Sequence, residues 1–405
     1  MSKKYVFSMW VYHHISEFTP DEMEIWKECG MNVPCSPVIQ YGKDDPALLI
    51  PWLDKARELG MELIASVHGL GYDTYIKIGR EEYTKRVKEL LAVIGDHPAL
   101  HGFLVGDEPS SKESLEAACE CIKIHKELAP HLNPFLNYTG SMAHFSKEVM
   151  GGRTLAEWMK YVKEETGTEE ICFDVYDQAI NDGGGKTMFF ETVKRMVEAA
   201  KAAKTDIWGC LLSSPGHVYK EQKEVDLRWQ VHMAAVLGLR GVLWFRFYDR
   251  AFHLGSYGSP IDEFGYKTEA YYGMLRVQRR FTNHFGDLFM RINHKKTYSV
   301  TLDRGVFPIF KEGDHDLIKE IRADDETIVS FFEDENGGEY LAIANSEWRH
   351  YGVVRIKSDD KKCRIYDVSQ NGAALDGFAA EEMSDDGVEL VLHPAGIRVL
   401  KIERI

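Results

Sequence analysis

The feature that most constrains the fold is a regular alternation of short apolar runs with amphipathic segments over about the first 285 residues. The apolar runs have the length and composition of buried strands, and they cover residues 5–12, 33–39, 62–67, 100–105, 134–137, 171–175, 207–212 and 242–247. A helical pattern follows each run, which requires a parallel sheet, and eight such pairs close a barrel. A doubly wound open sheet is the alternative. It would normally have fewer strands and a glycine-rich phosphate loop after the first strand, a motif that this sequence lacks.

The pattern changes after residue 291 to short alternating runs that turn residues separate. These runs predict antiparallel strands over residues 328–332, 340–344, 352–356, 364–368, 388–392 and 397–402. We therefore predict an α/β chain with a (β/α)8 TIM-barrel domain over residues 1–290, expected to carry the active site, and a C-terminal antiparallel β-sandwich domain over residues 291–405.

Composition limits the partners and the compartment. The net charge is −15 with no long basic run, which argues against nucleic acid and anionic membranes as partners. Seven scattered cysteines without a CxxC pair suggest free thiols in a reducing compartment rather than zinc or redox chemistry. The apolar run 5–12 lacks a cleavage site and is interpreted as a strand rather than a signal, and no run is long enough to span a membrane. These features predict a cytoplasmic protein without a cofactor, and they leave a homo-oligomer open.

In a barrel of this kind, catalytic residues lie at the carboxyl ends of the strands. The residues there are mainly carboxylates, aromatic rings and hydrogen-bonding groups, which are the groups that bind sugars and cleave glycosidic bonds. No nucleophile-elbow serine is present. The histidines His13, His14 and His68 lack a carboxylate at ligand spacing, so no metal site is predicted.

The sharpest motif is Gly106-Asp107-Glu108-Pro109, directly after the fourth predicted strand. A general acid for glycoside cleavage must hold its proton near neutral pH, and a neighbouring carboxylate and partial burial both raise a carboxyl pKa. We therefore predict that Glu108 is the catalytic acid, with Asp107 beside it. The structural alternative is that these acids only begin the next helix, where its dipole favours negative charge.

The next motif is Phe173-Asp174-Val175-Tyr176-Asp177 at the sixth predicted strand. Asp174 is the candidate for the second catalytic carboxylate, although an acid there can also serve only to anchor a loop. Polar and aromatic side chains at or near strand ends are candidates for binding substrate, although each one taken singly is more often structural. They are Trp10, His68, Asn137, Tyr138, Tyr176, Asp177, Trp208, His217, Trp244 and Arg246.

Residues 100–250 resemble the large retaining (β/α)8 superfamily of glycoside hydrolases. This superfamily includes the family 42 β-galactosidases and bacterial relatives with Gly-Asp-Glu-Pro at strand four. The resemblance rests on that motif, on Phe135-Leu136-Asn137-Tyr138, on Phe173-Asp174-Val175-Tyr176, and on the stretches 227–231 and 241–245. It implies an enzyme that hydrolyses a glycoside or oligosaccharide, with Glu108 as acid/base.

The chain departs from that superfamily at two positions. The acid/base is usually preceded by Asn, which here is Asp107, and the nucleophilic Glu that ends strand seven is missing from residues 207–214. Asp174 or Asp177 could replace the nucleophile. Alternatively, Asp107-Glu108 resembles the pair of substrate-assisted β-N-acetylhexosaminidases, in which the substrate's own acetamido group attacks and a tyrosine such as Tyr138 or Tyr176 steadies the intermediate. A barrel that only binds carbohydrate is the third hypothesis.

Overall fold

The computed structural model describes residues 4–180, 184–216, 218–249, 258–368, 383–384 and 387–405. The strands are β1 Val6–Met9, β2 Ile39–Gln40, β3 Leu63–Ala65, β4 Val67–His68, β5 Leu100–Asp107, β6 Phe135–Tyr138, β7 Glu170–Asp174, β8 Asp206–Leu212 and β9 Gly241–Phe245. The helices are α1 Glu22–Cys29, α2 Ile50–Glu58, α3 Tyr72–Ile94, α4 Lys112–Leu128, α5 Leu155–Thr166, α6 Gly185–Ala203, α7 Glu224–Val236, α8 Glu269–Phe281 and α9 Asp287–Arg291. Up to residue 291, strands and helices alternate as the sequence predicts, apart from the consecutive strands β3 and β4 and the consecutive helices α8 and α9.

The chain divides into two compact units. The barrel unit comprises Val6–Glu221 and Gly241–Tyr271, and the C-terminal unit comprises Met1–Tyr5, Gln222–Arg240 and Tyr272–Ile405. The predicted domain boundary after residue 290 stays a prediction.

The sheet of the barrel unit is parallel and contains seven strands in the order β1-β9-β8-β7-β6-β5-β3. The stretch 33–38 fills the place between β1 and β3. There, the Cys35 amide donates to the Met9 carbonyl over 3.2 Å and the Ser36 amide donates to the Ile64 carbonyl over 2.8 Å. This eighth strand completes a (β/α)8 TIM barrel, as predicted.

The inside of the barrel is filled by every second side chain of the strands, as the two-residue period of a β-strand requires. These side chains form one buried cluster that comprises Val6, Trp10, Val33, Cys35, Ile64, Phe135, Cys172, Trp208, Cys210 and Leu243. The next inward positions toward the carboxyl ends are polar: Asn137 follows Phe135 on β6, and Asp174 follows Cys172 on β7. The apolar filling therefore gives way to polar groups at the end of the barrel where a site is expected.

The C-terminal unit contains two antiparallel sheets, with strand orders β10-β12-β13-β18-β15 and β11-β14-β17-β16. Their strands are β10 Ile292–Ser299, β11 Ile318–Ala323, β12 Thr327–Asp334, β13 Glu339–Asn345, β14 Gly352–Ser358, β15 Cys363–Asp367, β16 Met383–Ser384, β17 Gly387–Leu392 and β18 Ile397–Arg404. Buried side chains from both sheets, including Leu341, Val354 and Leu390, form one core. The predicted β-sandwich is confirmed, and it contains β10, β11 and β16 in addition to the strands that the sequence predicted.

The seven cysteines are all buried, and none of them forms a disulfide bond. Among the described residues, none of the helices combines the length and the apolar character that crossing a lipid bilayer would need.

Candidate active site

The end of β5 has an unusual backbone that positions Asp107 and Glu108. The pairing of β5 with β6 shifts register between Leu104 and Gly106, and such a bulge redirects the side chains that follow it. Gly106 has φ +148°, and Glu108 has φ +48°, in the left-handed region that few residues other than glycine adopt. Two hydrogen bonds hold this conformation: the Glu108 amide donates to the Asn137 carbonyl over 2.8 Å, and the Tyr72 hydroxyl donates to the Asp107 carbonyl over 2.7 Å.

Gly106 is required at this bend because the ring of Tyr72 packs directly on it. A Cβ atom at position 106 would lie 2.3 Å from Cδ1 of Tyr72. We expect Gly106→Ala to destabilise the protein by about 2–4 kcal/mol through this overlap together with the unfavourable φ.

Urea unfolding would measure this loss of stability, with Gly42→Ala as the matched control. Gly42 also has a positive φ, but a Cβ there meets no atom within 4 Å, so only the backbone cost of about 1 kcal/mol is expected. Equal losses in the two variants would contradict the packing argument.

Three carboxyl groups meet at the carboxyl ends of β5 and β7, and Asn137 of β6 lies between them. The Asn137 side-chain amide donates to Asp107 Oδ1 over 2.9 Å and to Asp174 Oδ1 over 2.8 Å. The Asp174 carboxyl is also hydrogen-bonded to the carboxyl of Glu108. Because Asn137 is 1% exposed, it holds the two aspartates at a fixed separation. Asn137 was predicted to bind substrate, and in the structure it positions the acids.

Asp174 is held in its protonated form. Burial raises its pKa well above the usual range, and the hydrogen bond with Glu108 and the charge of Asp107 raise it further. The bonds from Asn137 and from the Tyr176 hydroxyl, which donates to Asp174 Oδ1 over 2.8 Å, oppose this shift. Asp174 is therefore the member of the cluster whose neutral form is favoured, and its carboxyl contacts that of Glu108.

Glu108 and Asp107 differ from Asp174 because both are exposed at the end of the barrel. The surrounding protein raises the pKa of Asp107 to about 6, with the charge of Glu108 adding to this and the bond from Asn137 opposing it. Asp107 is therefore mostly ionised at pH 7. The cluster thus combines a buried carboxyl whose pKa is strongly raised, that of Asp174, with two carboxyl groups that are accessible from solvent.

A cavity of about 430 Å³ opens beside Asp107. Trp10 and Tyr12 form an aromatic wall, with ring centroids 5.3 Å apart and planes 21° from parallel, and the exposed His68 also lines the cavity. Trp10 is 3% exposed, and its indole N–H has no hydrogen-bond partner among the described residues. Aromatic faces beside a few polar groups are typical of sites that bind sugars or other small molecules.

Tyr12 and Cys210 are parts of this site that the sequence analysis missed. Cys210 lies 3.0 Å from the Tyr176 hydroxyl, and burial raises the pKa of its thiol well above the usual range. The two-residue spacing of Cys210 from Trp208 would have placed it inside the barrel. Tyr12 has φ +61°, so its side chain leaves the regular alternation of β1, and no sequence signal indicates this.

The end of β8, where the resemblance drawn from the sequence implies a nucleophilic Glu, contains two buried serines instead of a carboxylate. Ser213 donates to the Arg246 carbonyl over 2.8 Å, and Ser214 is hydrogen-bonded to Ser259. Both hydroxyls have structural partners, so neither is placed as a nucleophile.

The other predicted substrate-binding residues do not join the cluster. Trp208 packs inside the barrel against Phe135, with ring centroids 5.6 Å apart. Tyr138 is 3% exposed, and Trp244 is fully buried on the face of β9 opposite Leu243. These three side chains have no access to a bound sugar.

Arg246, Asp177 and His217 occupy different positions again. Arg246 is 3% exposed, and its guanidinium lies 3.7 Å from the buried carboxylate of Asp249. Asp177 is half-buried in the turn after β7, next to Tyr219. His217 lies outside the described residues.

The predicted absence of a metal site at His13, His14 and His68 stays a prediction, and His14 is bonded to Asp44 over 3.0 Å. Among the described residues, the group with suitable spacing for a metal ion is His315, Asp316 and Glu339 in the C-terminal unit. The Arg404 guanidinium donates hydrogen bonds to Asp316 over 3.0 Å and to Glu339 over 2.9 Å, so it already offsets the negative charge of this group.

No protein-family model and no curated protein matches the chain. Several solved structures match the chain. A family 39 glycoside hydrolase from the gut symbiont Bacteroides cellulosilyticus WH2 aligns over 99% of this chain and 81% of its own, with 11% identity and a TM-score of 0.55. A protein described only as a glycoside hydrolase aligns over 98% and 91%, with 14% identity and a TM-score of 0.55.

A β-galactosidase from the psychrophilic Marinomonas ef1 aligns over 68% of this chain, with 11% identity and a TM-score of 0.51. The match spans 59% of that β-galactosidase chain. At these identities the likeness establishes the fold, and the chemistry has to be argued from the site.

Proposed function

We propose that this protein is a glycoside hydrolase that acts on a glycoside or oligosaccharide and uses Glu108 as its proton donor. The observation that carries the proposal is the contact of Glu108 with the buried carboxyl of Asp174, in a cluster that also presents Asp107 to an aromatic cavity. The names of the structural neighbours, a β-galactosidase and a family 39 glycoside hydrolase, support the same class of reaction.

In the proposed reaction, a sugar ring stacks on Trp10 and Tyr12 with its glycosidic oxygen next to Glu108. Glu108 donates its proton to that oxygen as the bond to the anomeric carbon breaks, and the leaving group departs as an alcohol. The developing positive charge on the sugar is stabilised by the second carboxylate. We assign that role to Asp107 rather than Asp174, because Asp107 is the one that is ionised at neutral pH and lines the cavity. A water molecule then forms a bond to the anomeric carbon and gives a proton back to Glu108, which completes the hydrolysis.

A screen of chromogenic glycosides, with and without a 2-acetamido group, tests the proposal. We expect turnover of at least one sugar by the wild-type protein and its loss in Glu108→Gln. Binding of intact oligosaccharides without hydrolysis over long incubation would favour the binding-only barrel and overturn the proposal.

A second candidate is a substrate-assisted β-N-acetylhexosaminidase. The observation that favours it is that β8 ends in serines instead of a carboxylate, and that burial raises the pKa of Asp174 well above its usual range. In that scheme the acetamido oxygen of the substrate attacks the anomeric carbon, Asp107 accepts a hydrogen bond from the acetamido N–H, and Glu108 protonates the leaving oxygen.

Asp174→Asn separates the two routes to a glycosyl intermediate. Asn resembles a protonated carboxyl in shape and keeps a hydrogen-bond donor, so a protonated, supporting Asp174 predicts a loss in kcat of no more than about tenfold. A nucleophilic Asp174 predicts a loss of about 10⁴-fold or more, as for other covalent nucleophiles. Steady-state kinetics would decide between them, and strong inhibition by a thiazoline mimic of the cyclised intermediate would select substrate assistance.

A further inference from the structure

A second cleft, of about 710 Å³, lies within the C-terminal unit between α7, α8 and the strands β17 and β18. Its lining is rich in arginine, although the chain as a whole has a net charge of −15. The arginines that line it are Arg228, Arg276, Arg279, Arg280 and Arg398. Two carboxylates, Glu224 and Asp367, share the lining. The cleft therefore has an excess of three positive charges in an acidic protein.

The two carboxylates are already engaged by three of the arginines. Glu224 accepts hydrogen bonds from Arg228 and Arg276, each over 2.6 Å, and Asp367 lies 2.5 Å from Arg398. Arg279 and Arg280 are exposed in the last turn of α8 and form no ion pair among the described residues. The helix dipole favours cations at the carboxyl end of a helix, so Arg279 and Arg280 are stable at this position. Their positive charges face the cleft without a carboxylate partner among the described residues.

The buried ring of His232 is surrounded by this positive charge. Its Nδ1 atom is bonded to the Ala395 carbonyl over 2.6 Å, which favours a proton on the ring. Burial nevertheless lowers its pKa to about 3, and the charges of Arg228 and Arg280 lower it further. His232 is therefore neutral and adds no charge, so an entering anion would meet the arginines.

The size of the cleft limits what it can hold. A volume of this order is typical of sites for small molecules and is too small for a nucleic-acid duplex. Guanidinium groups bind phosphate and sulfate oxygens through paired, charge-assisted hydrogen bonds. We propose that this cleft binds a small ligand that carries a phosphate or sulfate group, with Arg279 and Arg280 as the residues that hold the anion. The proposal uses none of the residues assigned to glycoside hydrolysis and does not depend on that activity.

Isothermal titration calorimetry on the full chain at low ionic strength tests the proposal. The probes are inorganic phosphate, glucose 6-phosphate and N-acetylglucosamine 6-sulfate, with glucose as the uncharged control. We expect at least one charged probe to bind, glucose not to bind, and the preferred probe to identify a phosphate or a sulfate ligand. The double substitution Arg279→Gln with Arg280→Gln should weaken binding by about tenfold or more, because each charge-assisted hydrogen bond contributes to affinity.

The matched control is Arg322→Gln with Arg349→Gln, which removes the same charge from exposed positions of the same unit. The control should bind as the wild type does, and raised ionic strength should weaken wild-type binding. Equal loss in the two double variants, binding that salt does not affect, or no binding of any charged probe would overturn the proposal. Thermal melting of both variants checks that the fold is retained.

Discussion

Glu108→Gln is expected to lower kcat by about 10²–10⁴-fold, because positioned proton transfer contributes an effect of that size. Glutamine keeps the shape of the side chain and can still hydrogen-bond with Asp174, but it has no proton to give to a leaving oxygen. Since Glu108 is exposed, the substitution should leave the free energy of unfolding nearly unchanged.

The leaving group makes this prediction specific to proton donation. In a 2,4-dinitrophenyl glycoside the leaving group departs without protonation. The loss in kcat caused by Glu108→Gln should therefore be much smaller with that substrate than with a glycoside whose leaving group is poor. Glu116→Gln, at an exposed position of α4, is the matched control and should retain wild-type rates. An equal loss with good and poor leaving groups would show that Glu108 does not act as the acid, and full activity of Glu108→Gln would remove it from the reaction.

The barrel could be predicted from sequence because its strands are apolar runs of the right length. The exception is the second predicted strand, because its stretch 33–38 joins β1 and β3 only through scattered hydrogen bonds. Pro34 and Pro37 lie within it and have no N–H to donate, so a regular ladder cannot form. The apolar residues of this stretch therefore predict a strand, although its prolines interrupt the backbone hydrogen bonds that define a regular one.

Other boundaries were missed where the backbone interrupts a period. The third helix was predicted over residues 81–94, but α3 begins at Tyr72 and continues past Gly79, where φ is +74° and ψ is 174°. The break at Gly79 divides the apolar periodicity of α3 into two parts, and only the part after Gly79 has a helical pattern in the sequence. The strands β10 and β11 were missed for a similar reason, because each has a register shift near its start that breaks the alternation.

The acidic cluster was predictable because it follows from topology. Asp107, Asn137 and Asp174 end neighbouring parallel strands, and such ends meet at one side of a barrel. The aromatic candidates were less predictable. Trp244 is one position out of phase with the inward side chains of β9, and Trp208 lies below the polar layer. The contact between Glu108 and Asp174 depends on a bulge and a positive φ, and neither can be read from residue types.

The last prediction concerns Asp107, whose substitution should separate activity from stability. If Asp107 stabilises positive charge on the sugar, Asp107→Asn should lower kcat by about 10²-fold or more, because the lost carboxylate acted on the transition state. The same substitution should make the folded protein more stable at pH 8. The pKa of Asp107 is raised from 3.8 to about 6 in the fold, so the folded state binds a proton between those values that the unfolded state has lost.

It follows that the stability contribution of Asp107 falls as pH rises through this window, and above pH 6 its charge opposes folding. Asparagine removes that charge. Urea unfolding should therefore show a gain of about 1 kcal/mol at pH 8, once screening by solvent at this exposed position is allowed for, and almost no gain at pH 3.5. Asp96→Asn, an exposed aspartate away from the cluster, should show no such pH-dependent gain. A variant as active as the wild type, or equally destabilised at both pH values, would show that Asp107 supports the fold instead of the reaction.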